Sequence, residues 1–194
     1  MSVKVILMMA LTLDGRIGKG DAHFVDWSGS EDKKLFVAVT RRAGALIMGS
    51  KTYDTIGKPL PDRCNIVMTR TPDNRHSQPP QLIFTAQSPE SILLDLSKAG
   101  YHEVVLAGGT MINTLFARRG LVDEVIVTIS PLIFGRGLAL FADDVAMELE
   151  LLQSKPLADG RIMARYRVVV THEAPEREET RRRRSPWKRK RRHR

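Results

Sequence analysis

Apolar residues gather into short runs along this chain, separated by glycine-bearing turns and by amphipathic stretches. Val3 to Leu13 is apolar after Lys4 and predicts a central strand. Asp14-Gly15 follows it where a secretory signal would need small residues and a cleavage site. A loop over Asp14 to Ser30 leads to a helix from about Glu31 to Arg42, with Ser30 as its N-cap and Leu35, Phe36 and Val39 facing inward. Ala45 to Met48 predicts a strand, Ser50 caps a short helix that Gly57 ends, Pro59 and Pro61 fix a turn, and Cys64 to Met68 forms another buried strand. Asn74 to Pro80 is a polar surface loop and Gln81 to Phe84 a strand. Ser88-Pro89-Glu90 opens a helix to Ala99, with Ile92, Leu93 and Leu96 on its buried face and Gly100 at its end. Glu103 to Ala107 runs as a strand into Gly108-Gly109-Thr110 and a helix to about Arg118. Val122 to Ser130 is apolar at both parities, which predicts burial on both faces. Glu148 to Lys155 and Arg161 to Thr171, joined by Asp159-Gly160, read as a hairpin. Repeated strand-helix-strand units predict an α/β fold: a mostly parallel central sheet, flanking helices and an antiparallel C-terminal hairpin.

Composition bounds the class. The chain has 194 residues, 42% of them hydrophobic, enough for one core. It lacks any run of about 18 apolar residues, so no membrane-spanning helix is predicted. The one cysteine, Cys64, cannot form an internal disulfide and reads as a small buried hydrophobe in a reduced, cytoplasmic setting. The net charge of +9 is concentrated at the end: residues 173–194 hold 11 Lys and Arg against 4 Glu. That divides the chain into a nearly neutral, enzyme-sized domain, 1–172, and a basic tail, 173–194, too charged to fold alone. Two readings of the tail stand: a solvated, disordered end, or a nucleic-acid or polyanion binder over 177–194, with Trp187 able to stack on a base. Monomer and homodimer are both open.

Candidate chemistry sits at three strand ends: Gly49-Ser50, Thr69-Arg70 and Gly108-Gly109-Thr110. A dinucleotide needs amides for its pyrophosphate and cations for any further phosphate, and Lys51 with Arg70 could neutralise a ribose 2′-phosphate, favouring NADPH over NADH. The plainer reading is a strand-helix-strand unit with a solvated lysine and arginine. Asp32 lies in a first helical turn, with Trp27 before it and Phe36 one turn later on the same face. An acid so placed can orient or relay a proton to a ring nitrogen. It can equally serve only to complement the helix dipole, and Glu31 is a rival. The histidines show no metal-ligand spacing, so no metal is predicted, and no Gly-x-Ser-x-Gly elbow supports hydrolysis.

Several of these residues fall in a known order. Ala10, Asp14, Ile17-Gly18, Trp27-x4-Asp32-x3-Phe36-x3-Thr40, Ile47-Met48-Gly49-x2-Thr52, Ile56-Gly57-x-Pro59-Leu60-Pro61-x-Arg63-x-Asn65 and Gly108-Gly109 resemble dihydrofolate reductase over about residues 2 to 171. The resemblance implies an eight-stranded α/β sheet and an NADPH-dependent oxidoreductase. That enzyme would transfer hydride to C6 of 7,8-dihydrofolate, with protonation at N5, giving tetrahydrofolate. It further implies Asp32 as the acid on the aminopyrimidine edge, supported by a hydrogen bond from Thr128. Ala10, Trp27 and Phe36 would meet the pterin, Ile56 and Leu60 the benzoyl group, and Arg63 the glutamate carboxylate. Cofactor contacts are implied for Ile17, Gly18, Gly49, Ser50, Lys51, Thr52, Thr69, Arg70, Gly108, Gly109, Thr110 and Met111, and a lid for Ile17 to Asp26.

Other stretches are similar to a sister family, the reductase domain of riboflavin biosynthesis, which implies reduction of a ribosylamino-pyrimidine 5′-phosphate. These are Leu13-Asp14-Gly15-Arg16-Ile17, Trp27-Ser28-x-Ser30, Leu121-Val122-Asp123-Glu124, Pro131 and Gly135-x-Gly137-x3-Phe141. Three positions depart from the folate pattern: Lys33 stands where an apolar residue usually meets the benzoyl ring, Ile112 where an aromatic is common, and Ser50 where an arginine often grips the 2′-phosphate. Asp32 and Arg63 together favour folate.

Overall fold

A computed structural model describes residues 2–20, 26–142 and 145–172, without the side chains of 170–172. The basic tail, its polyanion reading and the middle of the expected lid lie outside the described residues. In chain order the strands are β1 (Lys4–Thr12), β2 (Arg16–Gly18), β3 (Ala45–Gly49), β4 (Cys64–Met68), β5 (Leu82–Thr85), β6 (Glu103–Leu106), β7 (Glu124–Ser130), β8 (Leu138–Ala139), β9 (Ala146–Pro156) and β10 (Ile162–His172). The helices are α1 (Ser30–Ala43), α2 (Ser50–Ile56), α3 (Pro89–Lys98) and α4 (Thr110–Ala117).

Eight strands form one sheet in the order β5-β4-β3-β6-β1-β7-β10-β9. Strands β5 through β7 in that order pair in parallel, and the β9–β10 hairpin adds the antiparallel edge. This is the expected mostly parallel sheet. Alternate residues of one strand feed two cores. Val5 and Leu7 of β1 pack with Ile92 and Leu96 of α3 and Phe116 of α4, while Ile6 and Met8 pack with Val39 and Ala43 of α1. Burial on both faces explains why the central strands read as unbroken apolar runs rather than as alternation. No described helix is long and apolar enough to cross a membrane.

Three local expectations are corrected. Ser30 does not cap α1: the helix already includes it, Gly29 stands at the entry with φ 86, and no side chain caps the end. Ser50 likewise lies inside α2 behind Gly49, again without a side-chain cap. In both places a neighbouring side chain fills the space a capping side chain would need, Arg161 at Gly29 and Ile112 at Gly49. The expected loop from Asp14 to Ser30 contains β2, which pairs with β8. Strands this short carry no readable period, and their pairing rests on bare backbone: a Cβ on Gly137 would stand 2.2 Å from the Gly18 carbonyl oxygen. Ser88 does cap α3, accepting from the Ser91 amide at 3.2 Å.

Candidate active site

The carboxyl ends of β1 and β6 open, between α1 and α2, on a cavity of about 370 Å³. Met8 and Ala10 of β1 and Ala107 after β6 form its floor, and Thr52, Thr55, Ile56 and Leu60 one wall. Helix α1 supplies the other wall from adjacent positions of successive turns, Asp32 and Lys33, then Phe36 and Val37. Asp32 and Phe36 are the inner pair and Lys33 and Val37 the exposed rim. Asp32 is 8% exposed, and its carboxylate makes no hydrogen bond among the described residues. Among the described lining residues it is the one acid and Lys33 the one cation, on an otherwise mostly apolar wall.

Leu60 reaches the cavity because Asn65, fully buried, ties its loop down: the side-chain amide donates to the carbonyl oxygens of Leu60 (2.8 Å) and Arg63 (2.9 Å), and its oxygen accepts from the Leu60 amide at 2.9 Å. The same loop turns Arg63 inward. Its guanidinium donates to the Pro61 carbonyl oxygen at 2.7 Å and to the Thr40 hydroxyl, and it does not line the cavity. Burial, then the charge of Arg41, lowers its pKa, with Asp62 opposing.

Thr128 does not hydrogen-bond Asp32. Its ladder neighbours are Ala10 and Met163, neither of which has a polar side chain, and its buried hydroxyl has no partner among the described residues. Trp27 lies outside the cavity wall, edge-on to Phe134 at 5.3 Å between ring centroids, with a buried, unpartnered Nε1. Ser28, which the sequence offered only as part of the riboflavin-reductase-like pattern and with no role, stands on the wall instead, with a buried hydroxyl that has no partner among the described residues.

Strands β4, β3 and β6 are neighbours, so Thr69-Arg70, Gly49-Ser50-Lys51 and Gly108-Gly109-Thr110-Met111 come out along one ledge. The Gly49 amide donates to the Gly108 carbonyl oxygen at 2.8 Å. An added Cβ would meet Ile112 at 3.0 Å from Gly49, Met9 at 3.0 Å from Gly108, which has φ 89, and Thr52 Oγ1 at 3.3 Å from Gly109. The Gly108–Gly109 peptide is cis. Bare backbone and the uncapped start of α4 suit a phosphate-bearing cofactor. Of the expected cofactor residues, Ile17, Gly18, Thr52 and Gly109 line the cavity. Thr110 is engaged with the Ala139 carbonyl oxygen at 2.7 Å, and Lys51, Arg70 and Met111 are exposed farther along the ledge.

A family model described as dihydrofolate reductase matches residues 4–131. The chain belongs to the dihydrofolate reductase family. YyaP of Bacillus subtilis, an uncharacterized protein, is 26% identical over 84% of this chain and 94% of its own length. A putative riboflavin biosynthesis protein from Shewanella sp. PV-4 superposes with a TM-score of 0.71 at 24% identity, over 87% of this chain and 99% of that one. The dihydrofolate reductase of Enterococcus faecalis, solved with NADP(H), gives 0.69 at 22% identity, over 88% and 100%. At these identities the two structures establish a shared fold.

Within this family member the front of the cavity is fastened by Asp14. Its carboxylate accepts from the Thr12 hydroxyl (2.6 Å) and the amides of Phe134 (3.2 Å) and Gly135 (2.8 Å). The Thr12 bond, against a smaller desolvation effect and with help from the two amides, holds its pKa below the ordinary value. Leu138 on the cavity wall follows directly from that fastened loop.

Proposed function

We propose that the protein reduces 7,8-dihydrofolate to tetrahydrofolate with NADPH. The reading rests on Asp32: a buried acid whose carboxylate has no partner among the described residues, on a mostly apolar wall, beside a ledge of bare backbone. A dihydropterin presents ring N–H groups that a carboxylate can accept, and its C6–N5 double bond takes a hydride at carbon and a proton at nitrogen. NADPH, when bound, supplies the hydride. Asp32 orients the ring edge and hands on the proton, Met8, Ala10 and Phe36 exclude water, and Ile56 and Leu60 hold the benzoyl group. Asp32 sits in the first turn of α1, where its charge is also favourable to the helix.

Lys33 supports a second reading. A rim cation, with Arg63 turned away from the cavity, suits a ribosylamino-pyrimidine 5′-phosphate as well as a folate carboxylate. Purified protein given NADPH and either substrate separates them by loss of the reduced-nicotinamide absorbance. Turnover of dihydrofolate is expected; turnover of the phosphate-bearing pyrimidine alone would overturn the folate reading.

A further inference from the structure

The segment that delivers Asp32 is held from outside the cavity. Arg161, one residue before β10, donates from Nη2 to the Trp27 carbonyl oxygen at 2.8 Å, across 134 positions of sequence. Its Nη1 meets Asp159 at 3.1 Å, and its side chain is 15% exposed. The guanidinium packs against Gly29, where a Cβ would stand 2.8 Å from Cζ and 2.9 Å from Nε. On the far side of Gly29 the Ala158 amide donates to the Glu31 carboxylate at 2.5 Å. Two anchors from the β9–β10 turn, at Trp27 and Glu31, therefore bracket Ser28, Gly29 and Ser30, and Asp32 follows the second directly. No residue of that turn lines the cavity.

The geometry points to Arg161 as a positioning residue that, with the Ala158 amide, fixes the path of Trp27–Glu31 and so sets where the Asp32 carboxylate meets a bound substrate. This rests on the reading of Asp32 as the active-site acid. First-turn amides have no intrahelical acceptor, so the start of α1 gains little order from its own hydrogen bonds. Order there comes from contacts made by the entering chain. At Gly29 that chain is left-handed, with φ 86, where a side chain would be strained, and an added Cβ would displace the Arg161 guanidinium. A carboxylate displaced by about 1 Å loses on the order of a hundredfold in rate, so a remote anchor can govern a reaction it never touches.

The test uses the full chain with NADPH and whichever of the two substrates the native protein turns over. It compares Arg161→Gln, Arg161→Lys, Glu31→Gln, Asp32→Asn and the Arg161→Gln/Asp32→Asn double variant. Arg161→Gln is expected to lower kcat about 10- to 50-fold and to change its pH profile, with NADPH affinity, read by cofactor fluorescence, within about twofold of native. Arg161→Lys recovers part of the loss. In the Asp32→Asn background the same change has less than about a twofold effect, because the group it positions is gone. Native kinetics in Arg161→Gln, or an undiminished loss in the Asp32→Asn background, overturns the proposal. Asp32→Asn with native turnover instead removes the reading of Asp32 on which it stands. If Arg161→Gln fails to fold, Glu31→Gln, on an exposed side chain, carries the test together with a Glu31→Gln/Asp32→Asn double variant: a drop of about threefold that vanishes in the Asp32→Asn background supports the clamp, and native kinetics overturns it.

Discussion

Strand β7 carries two kinds of buried polar group at its two ends. At its start Glu124, 6% exposed, receives Lys4 at 2.5 Å on one carboxylate oxygen and Arg165 at 2.7 Å on the other, so β1, β7 and β10 are tied by one carboxylate. At its finish Thr128 and Ser130 hold hydroxyls just as deeply buried, with no partner. Leaving such a group unpaired costs about 1–3 kcal/mol. The sheet spends its ion pairs where the strands must register and leaves its open hydrogen-bonding capacity at the carboxyl end, beside Ala10 and the cavity. Paired groups stabilise the fold; the two unpaired hydroxyls lie toward the cavity end of the strand, although neither lines the cavity.

Four substitutions break or sharpen that contrast. Asp32→Asn, an unpaired group on the cavity wall, is expected to lower kcat by about a hundredfold to ten-thousandfold with little change in Tm, read by steady-state turnover and calorimetry. A parallel fall in Tm would mean that Asp32 serves the fold. Glu124→Gln, at the paired end, should behave oppositely and destabilise the fold. The loss is of order 2–3 kcal/mol, less than the full cost of opening a buried pair because Lys4 and Arg165 are each about one-third exposed. Kinetics of the folded fraction should stay native.

The Glu124 effect has a pH signature. Burial pushes its carboxyl up, but the hydrogen bonds and charges of Lys4 and Arg165 outweigh it, and the pKa is lowered overall. A folded value below the unfolded one means that the unfolded chain binds the proton first as pH falls. The stabilisation is therefore complete above the unfolded glutamate range and disappears as pH drops through the folded value. Urea unfolding of native protein and Glu124→Gln should converge in acid and diverge at neutral pH. A constant difference between them would contradict the ion-pair account.

A smaller effect is expected from Thr128→Val, which keeps shape and removes an unpaired hydroxyl. Stability should hold or rise by up to about 1 kcal/mol, while substrate affinity falls several-fold. Loss of both would place Thr128 among the groups that serve folding.

The two ends also differ in how far the sequence disclosed them. Apolar runs and strand-end glycines announced the sheet and the Gly49, Gly108 and Gly109 ledge, because a both-faces-buried strand and a bare backbone each need a particular local composition. Asp32 and Phe36 were visible through helical spacing. Contacts across long sequence separations were not: Arg161 reaches Trp27 over 134 residues, and the β2–β8 pair has too few residues for a period. The surroundings of Arg63 were hidden for a related reason. A guanidinium suits a ligand carboxylate by type, but here the Pro61 carbonyl and Thr40 hydroxyl hold it away from the cavity, an arrangement set by how the loop closes.

Lys33 is the smallest and most discriminating case. It lies at the cavity rim rather than beside Asp32's inner position, is exposed, and forms no ion pair among the described residues, so replacing it should leave Tm unchanged. A solvated cation attracts a mobile carboxylate weakly, by less than about 1 kcal/mol, so Lys33→Met is expected to raise the KM for dihydrofolate less than about fivefold, and apolar contact of the methionine with the benzoyl ring would offset part of that. A phosphate carries nearly twice the charge, so the same substitution should weaken a ribosylamino-pyrimidine 5′-phosphate by tenfold or more, on the order of 1.4 kcal/mol. The ratio of the two effects therefore reports which substrate the rim is built for, independently of how fast either is turned over. An equal effect on both would show that Lys33 is only part of the solvated face of α1.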